Sequence, residues 1–228
     1  LYKIHNIIAM ELEKLKNSSD NIDGIAEHYL FGKNKEKSFY YYVLKAEKSK
    51  SLGFLKDTID SYEILNPFLD EYDRNKKIKI FIGKAETFIE LCEINSAKEN
   101  IERAKNIAET PYEINSIRIL AIKSLVKEGK MKEALAVLSE SFFISNRITY
   151  SISDIEMVIM KSSLLIQLSK YSEAVDFILN MLNRDFGENI INQKITLKNM
   201  LGLSYFLSGD YSSSLNIFND VLSSSEMM

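Results

Sequence analysis

Small side chains recur in this sequence at nearly even spacing, each inside an apolar pattern of helical period. Thr58, Ala97, Ala134, Ala174 and Ser214 are separated by 39, 37, 40 and 40 residues. A small residue at a helix crossing lets two backbones approach, and a larger neighbour fills the gap beside it. A chain that repeats this device folds as a series of similar helix pairs, each packed on the next. The clearest copy is "LGLSYFLSGDYSSSLNIFNDVL", residues 201–222. There the pair Leu201 and Gly202, with Tyr205, precedes Gly209, Tyr211, Ser214, Phe218 and Val221. Weaker copies place Ser162, Leu165, Tyr171, Ala174 and Ile178, or Ala85, Phe88, Ile94, Ala97 and Ile101, in matching positions.

Between these marks the three- and four-residue apolar spacing predicts about twelve helices. They cover roughly 1–16, 21–32, 35–51, 54–72, 75–92, 94–108, 112–128, 131–144, 150–169, 171–184, 190–208 and 211–224. Two prolines in 228 residues leave long stretches free to stay helical, and strand-like alternation is absent. Gly53, Gly129 and Gly209 stand at short turns, so successive helices are antiparallel neighbours. Cys92 falls on the same turn position and reads as an inert thiol. Four consecutive aromatics, Phe39 to Tyr42, sweep most of a helical turn and cannot share one apolar stripe. Ser38 fits the second helix of one pair, while Ala46 and Gly53 fit the first helix of the next. Helix 35–51 should therefore be packed on two sides.

The repeated pattern resembles the tetratricopeptide repeat, with a period longer than that family's usual ~34 residues. The resemblance implies an all-α, right-handed superhelical solenoid of five or six hairpins. It divides the chain into helices at 1–34 that link to a preceding domain, repeats at 35–224, and a frayed tail at 225–228. The first helix of each tetratricopeptide hairpin lines a concave groove. Mapped here, the groove positions are Lys79, Ser116, Glu156 and Thr196; Ile82, Ile119, Ile159 and Asn199; and Glu86, Lys123, Ser163 and Leu203. The Lys/Asn clamp by which some members grip chaperone carboxy-termini is missing. The isoleucine row suggests an apolar stripe for an amphipathic helix or another domain.

A second likeness covers about residues 1–66. "LYKIHNIIAMELEKL", with His5, Ile8, Ala9 and Leu12, leads into "IAEHYLFGKNKEKSFYYYVLKAEKSKSLG". This is similar to the stretch after the ATPase module in bacterial signal-transduction ATPases with numerous domains, among them maltose-activator-like regulators and multidomain kinases and cyclases. Ile25, Ala26, His28 and Tyr29 match the family pattern, and Ser38 stands where alanine is commoner. The likeness implies a regulatory arm, cut from a longer protein, downstream of a nucleotide switch. No phosphate-cradling G-x-x-x-x-G-K-[ST] occurs in these residues.

Residues that could carry chemistry are few. Two histidines, His5 and His28, and one cysteine do not make an all-histidine metal site or a disulfide framework, and single-cysteine usage fits a reducing, cytoplasmic compartment. Glu86 and Glu90 lie one turn apart and read as solvated charge. Lys33, Lys35, Lys37, Lys45, Lys48, Lys50 and Lys56 form a lysine-rich early region without arginine, which reads as a solvated face. A net charge of −3 gives no general attraction to nucleic acid or anionic membrane. The reading is a non-enzymatic, cofactor-free interaction and sensing domain with a protein or peptide partner. The alternatives are a peptide-pheromone-receptor type regulator, an enzyme fragment completed by another domain, and a general assembly scaffold.

Overall fold

The computed structural model describes residues 1–15, 21–143, 152–184 and 191–225. They form twelve α-helices: α1 (Tyr2–Glu13), α2 (Ile22–Phe31), α3 (Lys35–Ser51), α4 (Leu55–Glu63), α5 (Arg74–Glu90), α6 (Ile94–Lys105), α7 (Pro111–Lys127), α8 (Met131–Phe143), α9 (Ile152–Gln167), α10 (Tyr171–Leu182), α11 (Ile191–Ser208) and α12 (Tyr211–Ser225). The described residues contain no strand. The expected frayed tail lies, from residue 226 on, outside the described residues.

One expected helix is two. The sequence pattern over 54–72 runs on, but α4 ends at Glu63 and a short 3-10 helix, Asn66–Glu71, follows. Pro67 is the cause. It lacks an amide hydrogen, and its ring disfavours α-helical torsions at Asn66 before it. The break also turns Asn66 toward α5, where its Oδ1 accepts from Lys84 Nζ at 2.7 Å.

The hairpin turns are built alike. Lys33, Gly53, Cys92, Gly129, Ser169 and Gly209 all have φ between 54° and 90°. In each, the next amide donates to the carbonyl five residues back: Phe54 to Ser49, Glu93 to Phe88, Lys130 to Leu125, Lys170 to Leu165 and Asp210 to Tyr205, at 2.8–2.9 Å, with Asn34 to Tyr29 at 3.0 Å. This left-handed closure satisfies carbonyls that a helix end would otherwise leave open. Five positions after each turn residue comes a small side chain: Ser38, Thr58, Ala97, Ala134, Ala174 or Ser214, all buried. Facing them on the preceding helix are Ala46, Ala85, Ser162 and Gly202, also buried. Ser214 Oγ donates to Gly202 O at 2.9 Å, and Phe218 occupies the space a side chain at Gly202 would need.

The chain divides into two compact units, Leu1–Ser124 and Leu125–Met228. In the first, Tyr42, Val43, Ala46, Tyr62, Leu65 and Ile80 form one core, and Ile78, Phe81, Ala85, Ile101, Ala104 and Leu120 another. In the second, Ile155, Val158, Ile178, Met181, Leu197 and Leu201 form the core. Helix α3 packs against both α2 and α4. Of its four aromatics, Tyr42 is buried, Tyr41 stacks on Tyr29 at 5.7 Å and Phe39 meets Tyr72 edge-on at 5.3 Å. Only Tyr40, 58% exposed, is left for solvent.

Candidate functional site

In the first unit the positions that the repeat mapping assigns to a groove lie on α5 and α7. Lys79 is exposed and paired with Glu47 of α3 at 3.0 Å. Ile82 is half-buried against the core, Ile119 is buried, and Ser116 and Lys123 are half-buried. Glu86 accepts from Lys50 of α3 at 2.8 Å, and the same ammonium reaches Glu90 at 3.4 Å. Burial works against the Lys50 charge, yet these two carboxylates outweigh it and raise its pKa. The one-turn carboxylate pair read as solvated charge thus holds a lysine instead.

In the second unit the positions lie on α9 and α11. Ile159 packs against the core, Glu156 is half-buried, and Ser163 accepts from Gln167 Nε2 at 2.9 Å. Thr196, Asn199 and Leu203 are exposed. The hydroxyl of Thr196 donates back to Asn192 O at 3.0 Å, which leaves Asn199 and Leu203 as the side chains most open to a ligand.

Most of the early lysines are exposed, and several of them also form cross-helix ion pairs. Lys37 reaches Glu13 at 2.9 Å, Lys45 reaches Asp23 at 3.1 Å and Lys35 pairs with Glu71. Lys33 sits 4.4 Å over the Tyr2 ring. Burial favours the neutral form of Glu13, but hydrogen bonds from Lys37, Tyr41 and Tyr29 hold it below the usual carboxylate range. Burial and the Glu13 carboxylate push Tyr29 up to about 12. His28 meets His5, Nδ1 to Nδ1, at 2.9 Å. One ring nitrogen donates and the other accepts, so the pair fastens α1 to α2. Cys92 is exposed on its turn. Among the described residues no group of three or more His, Cys, Asp or Glu is placed to hold a metal ion. No helix among them is long and apolar enough to cross a membrane.

One recurring position escaped the groove mapping. Lys45, Lys84 and Lys161 each stand eight residues before a turn residue, at 53, 92 and 169. Lys84 is 2% exposed, its ammonium held by Glu63 and Asn66, both at 2.7 Å. The signal was present in the spacing, hidden because lysine at a buried helix face contradicts the apolar pattern.

No family model and no curated protein matches the sequence. Solved structures do match the fold. Two crystal structures of MamA superpose with TM-scores of 0.54 at 14% and 15% identity, over 84% and 82% of this chain and 93% and 99% of theirs. YrrB, described as a TPR protein with an unusual peptide-binding site, superposes with a TM-score of 0.50 at 15% identity, over 80% of this chain and 84% of its own. The fold is of tetratricopeptide type. The likeness is one of backbone arrangement.

Proposed function

We propose that this chain is a non-catalytic interaction and sensing domain of a bacterial multidomain signalling or transcription-regulatory ATPase. It binds a protein or peptide and transmits that event to a neighbouring domain. The observation that carries this reading is α1. Its residues Tyr2, Ile4, Ile7 and Met10 are all more than half exposed, a row of large apolar side chains on a helix whose other side is fastened to α2. Such a face is costly in water and suits a docked domain. Residues 1–34, which resemble the segment following an ATPase module, would make that junction. The peptide-binding description of YrrB and the exposed positions Asn199 and Leu203 support a partner on α11 in the second unit. A partner that prefers one packing of the hairpins over another would shift the neighbour's state by that difference in affinity.

The test is made on the native polypeptide that contains this sequence. Isolated intact and labelled with a photoreactive ATP analogue, it should carry the label on a portion preceding α1. Ile4→Glu with Ile7→Glu should then change nucleotide turnover or its response to partner. A native polypeptide that takes no nucleotide label overturns the ATPase assignment.

A further inference from the structure

The joint between α1 and α2 is closed by two imidazoles. His5, early in α1, and His28, in the last turn of α2, meet Nδ1 to Nδ1 at 2.9 Å, and both are half-buried. The His5 ring also lies against Phe31, with centroids 5.4 Å apart. Beside the pair, Asn6 Nδ2 donates to Gly32 O at 2.8 Å and Lys33 covers the Tyr2 ring. The far half of α1 is held separately, by Ala9 in a core with Ile25 and Tyr29 and by Glu13, which accepts from Lys37. The two imidazoles therefore bear on the half of the helix that carries Tyr2, Ile4 and Ile7 outward.

A hydrogen bond between two imidazoles needs one N–H and one bare nitrogen at the contact. Such a pair can take up one proton and stay closed. That proton enters at Nε2 of the donor ring, away from the contact, and leaves an imidazolium donating to a neutral ring, a charge-assisted bond. The dipole at the C-terminus of α2 favours the cation on His28. A second proton has one place to go, the acceptor Nδ1, where two N–H groups and two positive charges would face each other. Nothing nearby offsets them. Among the described residues neither ring is paired with a carboxylate. Neither histidine has a charged side chain three or four places away on its own helix, and the titratable one at that spacing is Tyr2. Lys3 of α1 and Glu27 of α2 are exposed, and Lys37 and Lys45 of α3, which packs on α2, are held by Glu13 and Asp23.

We propose that the His5–His28 pair is a proton-operated latch, which holds the first half of α1 on α2 while no more than one ring is charged and releases it when both are. The separated rings bind one more proton than the closed pair, so falling pH favours release. Each pH unit below the ordinary imidazole range, about 6.5, favours it about ten-fold, and above that range the joint keeps its full strength. Glu13 limits the movement. Burial opposes its charge, but bonds from Lys37, Tyr41 and Tyr29 hold the carboxylate below the usual range, so the far half of α1 stays fastened at pH 5.5. The latch alters how Tyr2, Ile4 and Ile7 are presented, and it is a property of this chain alone, whether or not α1 docks an ATPase.

The test uses the whole chain, labelled with nitrogen-15, in solution NMR. At pH 7.5 the two Nδ1 atoms should show scalar coupling across their hydrogen bond. Amide exchange at Asn6 to Ala9, corrected for the intrinsic effect of pH, should be about ten-fold faster at pH 5.5 than at pH 7.5, while amides of α5 do not change. His28→Gln keeps a side chain that can donate or accept but takes no proton, and the single charge then left on His5 can be bonded. That variant should lose the pH dependence, and so should His5→Gln. Equal exchange at the two pH values in the unaltered chain overturns the proposal, as does a pH response that either variant retains in full. Lack of the Nδ1 coupling at pH 7.5, or the same acceleration in α5, overturns it too, the latter by placing the response in the whole unit rather than in α1.

Discussion

Cys92 holds a backbone torsion, φ 60°, that crowds the Cβ of any L-residue against the following carbonyl. Gly53, Gly129 and Gly209 adopt it freely at equivalent turns. Cys92→Gly should therefore raise stability by up to about 1 kcal/mol, part of the gain being lost to the freer unfolded chain. Gly129→Ala should lower it by about as much; urea midpoints at constant slope measure both. Gly202 presents the opposite problem, since a Cβ there would stand 2.8 Å from the Phe218 ring. Gly202→Ala should cost about 1–3 kcal/mol through overpacking. Phe218→Leu in the same chain should recover part of that loss, a coupling that a double-mutant cycle reads directly. The turn glycines and the small crossing residues were legible one by one in the sequence. The left-handed torsions at Lys33 and Ser169 were not, because nothing in a lysine or a serine announces φ above zero.

At the scale of the helix, ends are fixed by local chemistry and partners by distant chemistry. Helix α7 opens with a capping box. Glu113 N donates to Thr110 Oγ1 at 3.2 Å, Thr110 N donates to Glu113 Oε2 at 3.0 Å, and Pro111 takes the first helical position. Arg74 of α5 then binds the same carboxylate at 2.7 Å. Arg74 first, and the Thr110 and Glu109 amides after it, lower Glu113 to about 2. An unfolded glutamate titrates near 4.3. Its contribution to stability is full above that pH and disappears as pH falls toward 2. Denaturant midpoints should accordingly fall between pH 5 and pH 2, and Glu113→Gln should flatten the fall. Helix α5 carries the other element-scale case. Glu63→Ala leaves the buried Lys84 ammonium with Asn66 alone and should destabilise by about 1–3 kcal/mol, the half-exposed carboxylate moderating the usual cost of breaking a buried pair. Lys84→Met should be near neutral by the same reasoning. The helix start at Thr110–Pro111 could be read from sequence; the Arg74 contact with Glu113, 39 residues away, could not.

For the molecule as a whole, each unit buries its own core, and the surface records what each still lacks. Because Ile4 and Ile7 are exposed, replacing both with Glu should leave the thermal midpoint almost unchanged, as surface substitutions do. If α1 docks a neighbouring domain, as proposed above, the same change should abolish that docking. A large drop in the midpoint would show that this face is packed within the chain itself. The positions mapped to a groove divide similarly: Asn199 and Leu203 are exposed, while Ile119 is buried.

The sequence by itself determined the helices, their turns and the regular crossing of small residues, because each depends on side-chain volume and torsion within one hairpin. Tertiary structure alone decided which charges meet. Lys50 finds Glu86, Arg74 finds Glu113, and Lys84 and Lys161 share one repeat position with different surroundings. The physical reason is reach. Packing periodicity is a short-range property repeated many times, whereas an ion pair or a cavity depends on which residues of separate hairpins arrive at the same place.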